Sequence, residues 1–486
     1  MNRTKRAAVG LLAAGALALA GAVGAPQTGP AVAAPPPVGA SFEVYDDLGV
    51  SGSRTYLYTP SEVVNALLTP VIFIYSDAGY ADESAARAAL ENLGLVAKAE
   101  QEHAVLIVAN PVGAEWGPAD ERVFLGMRSK IWSGIPTPET IALGTLALSV
   151  DRLDFVVGEG RGATFINQYL TQKPNVNRIA GVATFGGTMP AGVLRDEALP
   201  AYLTGASPAA VSFYKAVNQV QADPAADSTG SNQIFYNPAN PAKEVVVNNA
   251  DAARFTAALL DDAYETLFRY NSRQYLSTMV PYDGGTTREV FTLQKRPNLG
   301  ALGLTQFDVT GAATGSTGQT RWVEWVPDEV LALPADSAAK VPLVIDLHGG
   351  GDDEVYQSES SGWIAVAGQE RVIVVSPREQ SAPAVTGLLA ELQRKYPIDT
   401  TRVYLTGFSM GAASVWGLAS QFPETFAAIA PMSAPGARIT SMEGLADTLD
   451  LPVYFSAGQN EPDSIDQPTD TQPYPQLKQA NRTALN

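Results

Sequence analysis

Apolar residues along this chain fall into short blocks separated by turns rich in glycine and proline, and the blocks are of two kinds. From Ser53 to Val63, and again from Thr320 to Val330, polar and apolar residues alternate up to a proline, which predicts a strand closed by a proline turn. Pro70 to Tyr75, Pro342 to Leu347 and the runs reaching Pro111 and Pro377 are predominantly apolar blocks, the pattern of strands buried on both faces. Helical stretches lie between them, closed by Gln101-Glu102-His103 in one case and Gln369-Glu370-Arg371 in another. Short buried strands alternating with helices predict an α/β fold with mostly parallel sheets.

The pattern is written twice. Phe155-Val156-Val157 leads into Gly158-Glu159-Gly160-Arg161-Gly162, and Tyr404-Leu405-Thr406 leads into Gly407-Phe408-Ser409-Met410-Gly411. Beyond lie Gly181 to Phe185 and Ala430 to Ser433, then Leu199 to Leu203 and Leu451 to Phe455. Any two α/β domains share such a rhythm, but prolines and turns at matched offsets favour a duplication. The expectation is two tandem domains, 34–295 and 300–486. Only the first continues, through Gln233 to Tyr236, Glu244 to Val247 and a long helix from Asp251 to about Tyr270. After Phe455 a polar, proline-rich loop and the run Gln476 to Leu485 follow, so the second domain is expected to be incomplete at its C-terminus.

The length of 486 residues, 46% of them hydrophobic, exceeds one ordinary core and suits two. A formal charge of −18, spread along the chain, implies a solvated acidic surface and argues against nucleic acid or anionic lipid as partners. Residues 1–33 have the layout of an export signal: Arg3, Lys5 and Arg6, an apolar run from Ala7 to Ala25, and Ala31-Val32-Ala33 as a cleavage site. A retained anchor is the competing reading; the Ala/Gly-rich run and Pro26, Pro30 and Pro35-Pro36-Pro37 favour cleavage and secretion, with no membrane association afterwards. The chain has no cysteine, hence no disulfide, thiol nucleophile or thiolate metal site.

The chemistry gathers in the second domain. A G-x-S-x-G pattern alone is weak, but here it joins an apolar strand to a helix expected from Ala412 to about Gln421 and ended by Pro423. A nucleophile on so sharp a turn needs small neighbours, which Gly407 and Gly411 supply. Ser409 is the candidate nucleophile. The N–H of Met410 and one from the Gly349-Gly350-Gly351 loop are the candidate oxyanion donors. A glycine run after a buried strand also serves as a plain turn. No histidine follows Ser409; the two in the chain are His103 and His348. A serine hydroxyl normally needs an imidazole to take its proton, so the general base is missing from the pattern. The first domain carries Gly160 in place of the nucleophile and Ser76-Asp77-Ala78-Gly79 in place of the glycine loop.

Residues 320–465 resemble the α/β-hydrolase superfamily. The Leu347-His348-Gly349-Gly350-Gly351 loop, the Gly407 to Ala412 elbow and the Phe426 to Ser433 strand resemble secreted polyhydroxybutyrate depolymerase-like and feruloyl esterase-like enzymes. The resemblance implies an acyl-enzyme mechanism on carboxylic esters, including polyesters or aromatic plant-wall esters, with no metal or organic cofactor. It implies an acid after the strand Val453 to Ala457, where Glu461 stands and Asp463 is a close rival; a plain surface carboxylate is an equal reading for Glu461 and the leading one for Asp463. It makes His348 an organiser of the oxyanion loop, with a Ser409–His348 dyad the minor alternative, and leaves His103 a helix-end or surface role. Trp363, Trp416 and Tyr356 are either an aromatic substrate site or core packing, and packing is the commoner role.

Two functions therefore stand against each other: a secreted serine esterase whose base lies on sequence beyond this chain, and a non-catalytic pseudohydrolase that binds a partner or polymer. A peptidase on the same fold is the weaker third. Neither the particular ester nor the oligomeric state is legible.

Overall fold

The computed structural model describes residues 3–6, 39–62, 68–132, 152–172, 175–193, 197–227, 229–276, 290–311, 320–350, 352–433, 451–454 and 456. The predominantly apolar blocks are strands: every residue of Val71–Tyr75, Val105–Ala109 and Gly181–Phe185 is buried, as are the last five of Val341–Leu347. Each of these strands has a neighbour on both edges, so its backbone polar groups are satisfied by the ladder while both rows of side chains enter the core.

The chain divides into two compact units, Leu17–Arg296 and Pro297–Asn486, the latter joined by Met1–Ala16. In the first, the sheet order is Ser41–Asp46, Arg54–Thr59, Val105–Ala109, Val71–Tyr75, Asp154–Glu159, Gly181–Phe185, Ala201–Thr204, Asn240–Asn248, Asn232–Asn237 and Ala225–Ala226. The six strands from Val105–Ala109 to Asn240–Asn248 pair in parallel, and both ends of the sheet are antiparallel. In the second, Leu304–Gly311, Thr320–Pro327, Ile373–Pro377, Val341–Leu347, Ile398–Phe408 and Ala428–Met432 follow one another in the same topological order, with Arg3–Arg6 antiparallel to Leu304–Gly311 at the edge. Parallel bridges from Ile429 to Val453 and from Met432 to Ser456 carry that sheet one position further. The architecture is thus two α/β units, each with a mostly parallel sheet.

The structure moves four expected boundaries. The helix placed at Asp251 begins at Ala257 and ends at Thr266, followed by a 3-10 turn at Phe268–Tyr270. Asp251 is left-handed at φ 50°, Ala252 N–H donates to Thr204 Oγ1 (3.0 Å), and Phe255 N–H donates to Glu159 Oε2 (2.7 Å). These contacts hold the intervening residues as a loop until Thr256 caps the helix through Leu259 N–H. At the elbow, the strand runs on to Phe408 and the helix opens at Met410, so the turn is a single residue. Of the aromatic residues weighed for a substrate site, Trp416 and Tyr356 are buried at 2% and 8% exposure, while Trp363 is half-buried.

Candidate active site

Ser409 sits alone between the strand Ile398–Phe408 and the helix Met410–Gln421, at φ 53°, ψ −111°. That backbone region is nearly reserved for glycine, so a serine there is strained and must be held by its surroundings. Its N–H donates to Met432 O (2.9 Å), and its carbonyl accepts from Ala413 N–H (3.1 Å). The flanking glycines explain how the turn closes. A methyl on Gly411 would lie 2.3 Å from Leu347 O and 2.7 Å from His348 O; one on Gly407 would lie 2.8 Å from the Gly411 carbonyl carbon. The helix start therefore rests directly on the end of Val341–Leu347, where the glycine loop begins. Ser409 is half-buried, and among the described residues its Oγ has no hydrogen-bond partner. The amide of Met410 belongs to the first helical turn, whose N–H groups have no acceptor within the helix and favour negative charge.

The loop at His348 to Gly350 is tied from beneath. Gln380 Nε2 donates to His348 O (2.7 Å), and Ser376 Oγ donates to Asp346 O (2.6 Å). His348 is buried, with Nδ1 2.9 Å from Gly349 O and Nε2 3.0 Å from Arg378 O. Both ring nitrogens thus face backbone carbonyls, which suits an organiser of the loop and leaves neither nitrogen for Ser409. Asp346, fully buried one residue before Leu347, accepts from Gln357 Nε2 (3.1 Å) and Ser361 Oγ (2.8 Å); burial pushes its pKa up to about 6. Glu354 is also buried, and burial raises its pKa against the opposing pull of Arg321 (3.0 Å) and Arg378 (3.4 Å). Asp353 caps the helix Glu354–Ser361 through Val355 and Tyr356 N–H.

Glu461 and Asp463, the expected acids, lie outside the described residues. His103 closes the helix Leu95–Glu102 at φ 53°, its Nδ1 3.1 Å from Glu62 O, a helix-end position.

The first unit repeats this turn with other residues. Gly160 has φ 53°, the value found at Ser409. A methyl on Gly162 would lie 2.2 Å from Tyr75 O and 2.7 Å from Ser76 O, the same approach that Gly411 makes. The space that a side chain on Gly160 would enter is filled by Asp77, whose Oδ1 would lie 2.3 Å from a Cβ there. Asp77 Oδ1 accepts the Arg161 N–H (2.8 Å), and Oδ2 accepts from Arg254 (3.0 Å). The Arg161 amide, followed by Arg254, holds the Asp77 carboxyl below the usual carboxylate range. The amide answering to Met410 in the other unit is thus occupied by an internal anion. Sequence reading placed Asp77 in the loop but missed this role; an aspartate two residues beyond the strand Val71–Tyr75, paired with a glycine at the nucleophile position, was the available signal.

No family model matches the chain. It is 34% identical over 114 residues to the bifunctional acetylxylan esterase/xylanase XynS20E of Neocallimastix patriciarum, spanning 21% of this chain and 17% of that protein. It is 29% identical over 123 residues to the poly(3-hydroxyalkanoate) depolymerase C of Paucimonas lemoignei, spanning 21% of this chain and 30% of that one. The chain thus matches less than a third of the length of either relative. Among solved structures, an S-formylglutathione hydrolase from Agrobacterium tumefaciens aligns over 37% of this chain and 83% of its own, at 14% identity and a TM-score of 0.29, too low to carry an argument. The strand order, the elbow and these relatives together establish a resemblance to α/β-hydrolase esterases.

Proposed function

We propose that the chain carries a secreted serine hydrolase unit that cleaves carboxylic esters through an acyl-enzyme. Ser409 Oγ would attack the ester carbonyl, the alcohol would leave with the serine proton, and water would then release the acid and restore the hydroxyl. The N–H of Met410 and those of Gly349 and Gly350 would receive the oxyanion. Glu461 or Asp463 would orient a base that neither histidine of this chain supplies. The observation that carries the reading is the strained backbone at Ser409, which keeps the hydroxyl on the apex of a turn packed against the glycine loop. The names of the relatives extend it to acyl groups on polysaccharide or to polyesters. The two units are proposed to descend from one duplicated unit, the first having exchanged its nucleophile for Gly160 and Asp77. Hydrolysis of p-nitrophenyl acetate and butyrate, lost in Ser409→Ala, tests the assignment; turnover that survives the substitution would remove it.

A second reading rests on one observation. Both ring nitrogens of His348 lie beside backbone carbonyls, 2.9 and 3.0 Å away, so this histidine is not presented to the hydroxyl as a base. On that reading the unit is a pseudohydrolase that binds ester-bearing polymer without cutting it. Retention on a polyhydroxyalkanoate film, with no acid released, would favour it.

A further inference from the structure

Seven large apolar side chains are exposed among the described residues, and two of them, Phe408 and Met410, stand on either side of Ser409. They are 41% and 39% exposed, although both neighbour a turn whose glycines leave no room for a Cβ. Each also lies beside the glycine loop. A methyl on Gly349 would lie 3.0 Å from Phe408 Cδ1 and 3.5 Å from its Cε1; one on Gly350 would lie 3.9 Å from Met410 Cβ and Sδ. The Phe408 ring edge therefore covers Gly349, and the Met410 side chain borders Gly350.

We propose that Phe408 and Met410 are the specificity-determining residues of this site, holding the oxyanion loop from outside and presenting an apolar lip to the acyl part of an ester. The inference rests on the serine hydrolase reading and deepens it. On this proposal, an ester carbonyl that reaches Ser409 Oγ with its oxygen toward the Met410 amide would pass beside these two exposed side chains. An acyl group bearing an alkyl chain or ring covers apolar surface on both of them as it enters, whereas an acetyl group covers little. Their loop contacts add a positioning role. His348 fixes the loop from beneath, through Gly349 O, and the Phe408 ring rests against the same glycine from the solvent side.

The test compares labelling rates with ethyl and octyl fluorophosphonates. In that reaction Ser409 Oγ forms a bond to phosphorus, fluoride leaves, and the serine proton is lost. Wild type is expected to label faster with the octyl reagent, and Phe408→Ser and Met410→Ser to lose that preference by about tenfold each, the low end of what one methylene is worth in an apolar pocket. Phe408→Leu, which keeps an apolar side chain over Gly349, should restore most of it. Leu331→Ser removes an exposed apolar residue of the same unit, 38% exposed, and should leave the ratio unchanged. A ratio unaltered in both serine variants while wild type labels at Ser409 overturns the inference and spares the hydrolase reading. Wild type that labels with neither reagent overturns both. A fall in both rates by one common factor means that the residues act on the loop alone, and overturns the specificity role.

Discussion

Replacing Ser409 by glycine should make the second unit more stable while removing its chemistry. A non-glycine residue in the backbone region that Ser409 occupies (φ 53°, ψ −111°) costs about 1–3 kcal/mol. Glycine relieves that strain but adds unfolded-chain entropy of about 0.5–1 kcal/mol. The net expectation is a gain of about 1 kcal/mol, or a melting temperature about 2–4 °C higher for a unit of this size. Alanine is the control. It keeps the Cβ and hence the strain, and it gives up no hydrogen bond, since Ser409 Oγ makes none among the described residues. The assay is thermal or urea unfolding of Ser409→Gly against Ser409→Ala, followed with a probe of the second unit such as fluorescence of its buried tryptophans. If the glycine variant is no more stable than the alanine variant, the serine is not strained and the argument for a held nucleophile fails. Gly160, which stands at the same φ in the first unit, is what relief of that strain looks like.

Other perturbations follow from the same geometry. Gly411→Ala places a methyl 2.3 Å from Leu347 O, so it should cost about 3 kcal/mol of unfolding free energy in urea titration and displace the glycine loop. Asp77→Asn should cost the first unit about 1 kcal/mol at neutral pH. Because the Asp77 pKa is lowered in the folded state, that contribution is present above the unfolded carboxylate pKa and disappears as the pH falls through the folded value, so the variant and wild type should converge in acid. Asp346 has the opposite sign. Its folded pKa of about 6 lies above the unfolded value, so the native state binds the extra proton and wild type should lose stability as pH rises from about 4 to 7. Asp346→Asn should flatten that slope, by up to about 3 kcal/mol in unfolding free energy at pH 7.5.

The strands were legible because burial on both faces writes an unbroken apolar block, as in Val71–Tyr75 and Val105–Ala109. The division into two α/β units followed from the matched blocks of the two halves, and the position of Ser409 from a turn whose sterics admit few residues. What was not legible depended on distant contacts. Asp251 to Phe255 would serve in a helix, and only Thr204 and Glu159 make them a loop. Asp77 reads only as part of a small-residue loop until the fold brings it to an amide 84 positions away. Asp346 sits inside an apolar strand, and its partners Gln357 and Ser361 come from the helix that follows the glycine loop.

The central claim is that Ser409 is a reactive hydroxyl on a preorganised turn. Reaction of the protein with a fluorophosphonate, followed by peptide mass mapping, tests it most directly. The account predicts one adduct, on the peptide bearing Ser409, absent after prior unfolding and absent in Ser409→Ala. An unmodified Ser409 peptide, or equal labelling of folded and unfolded protein, would contradict it.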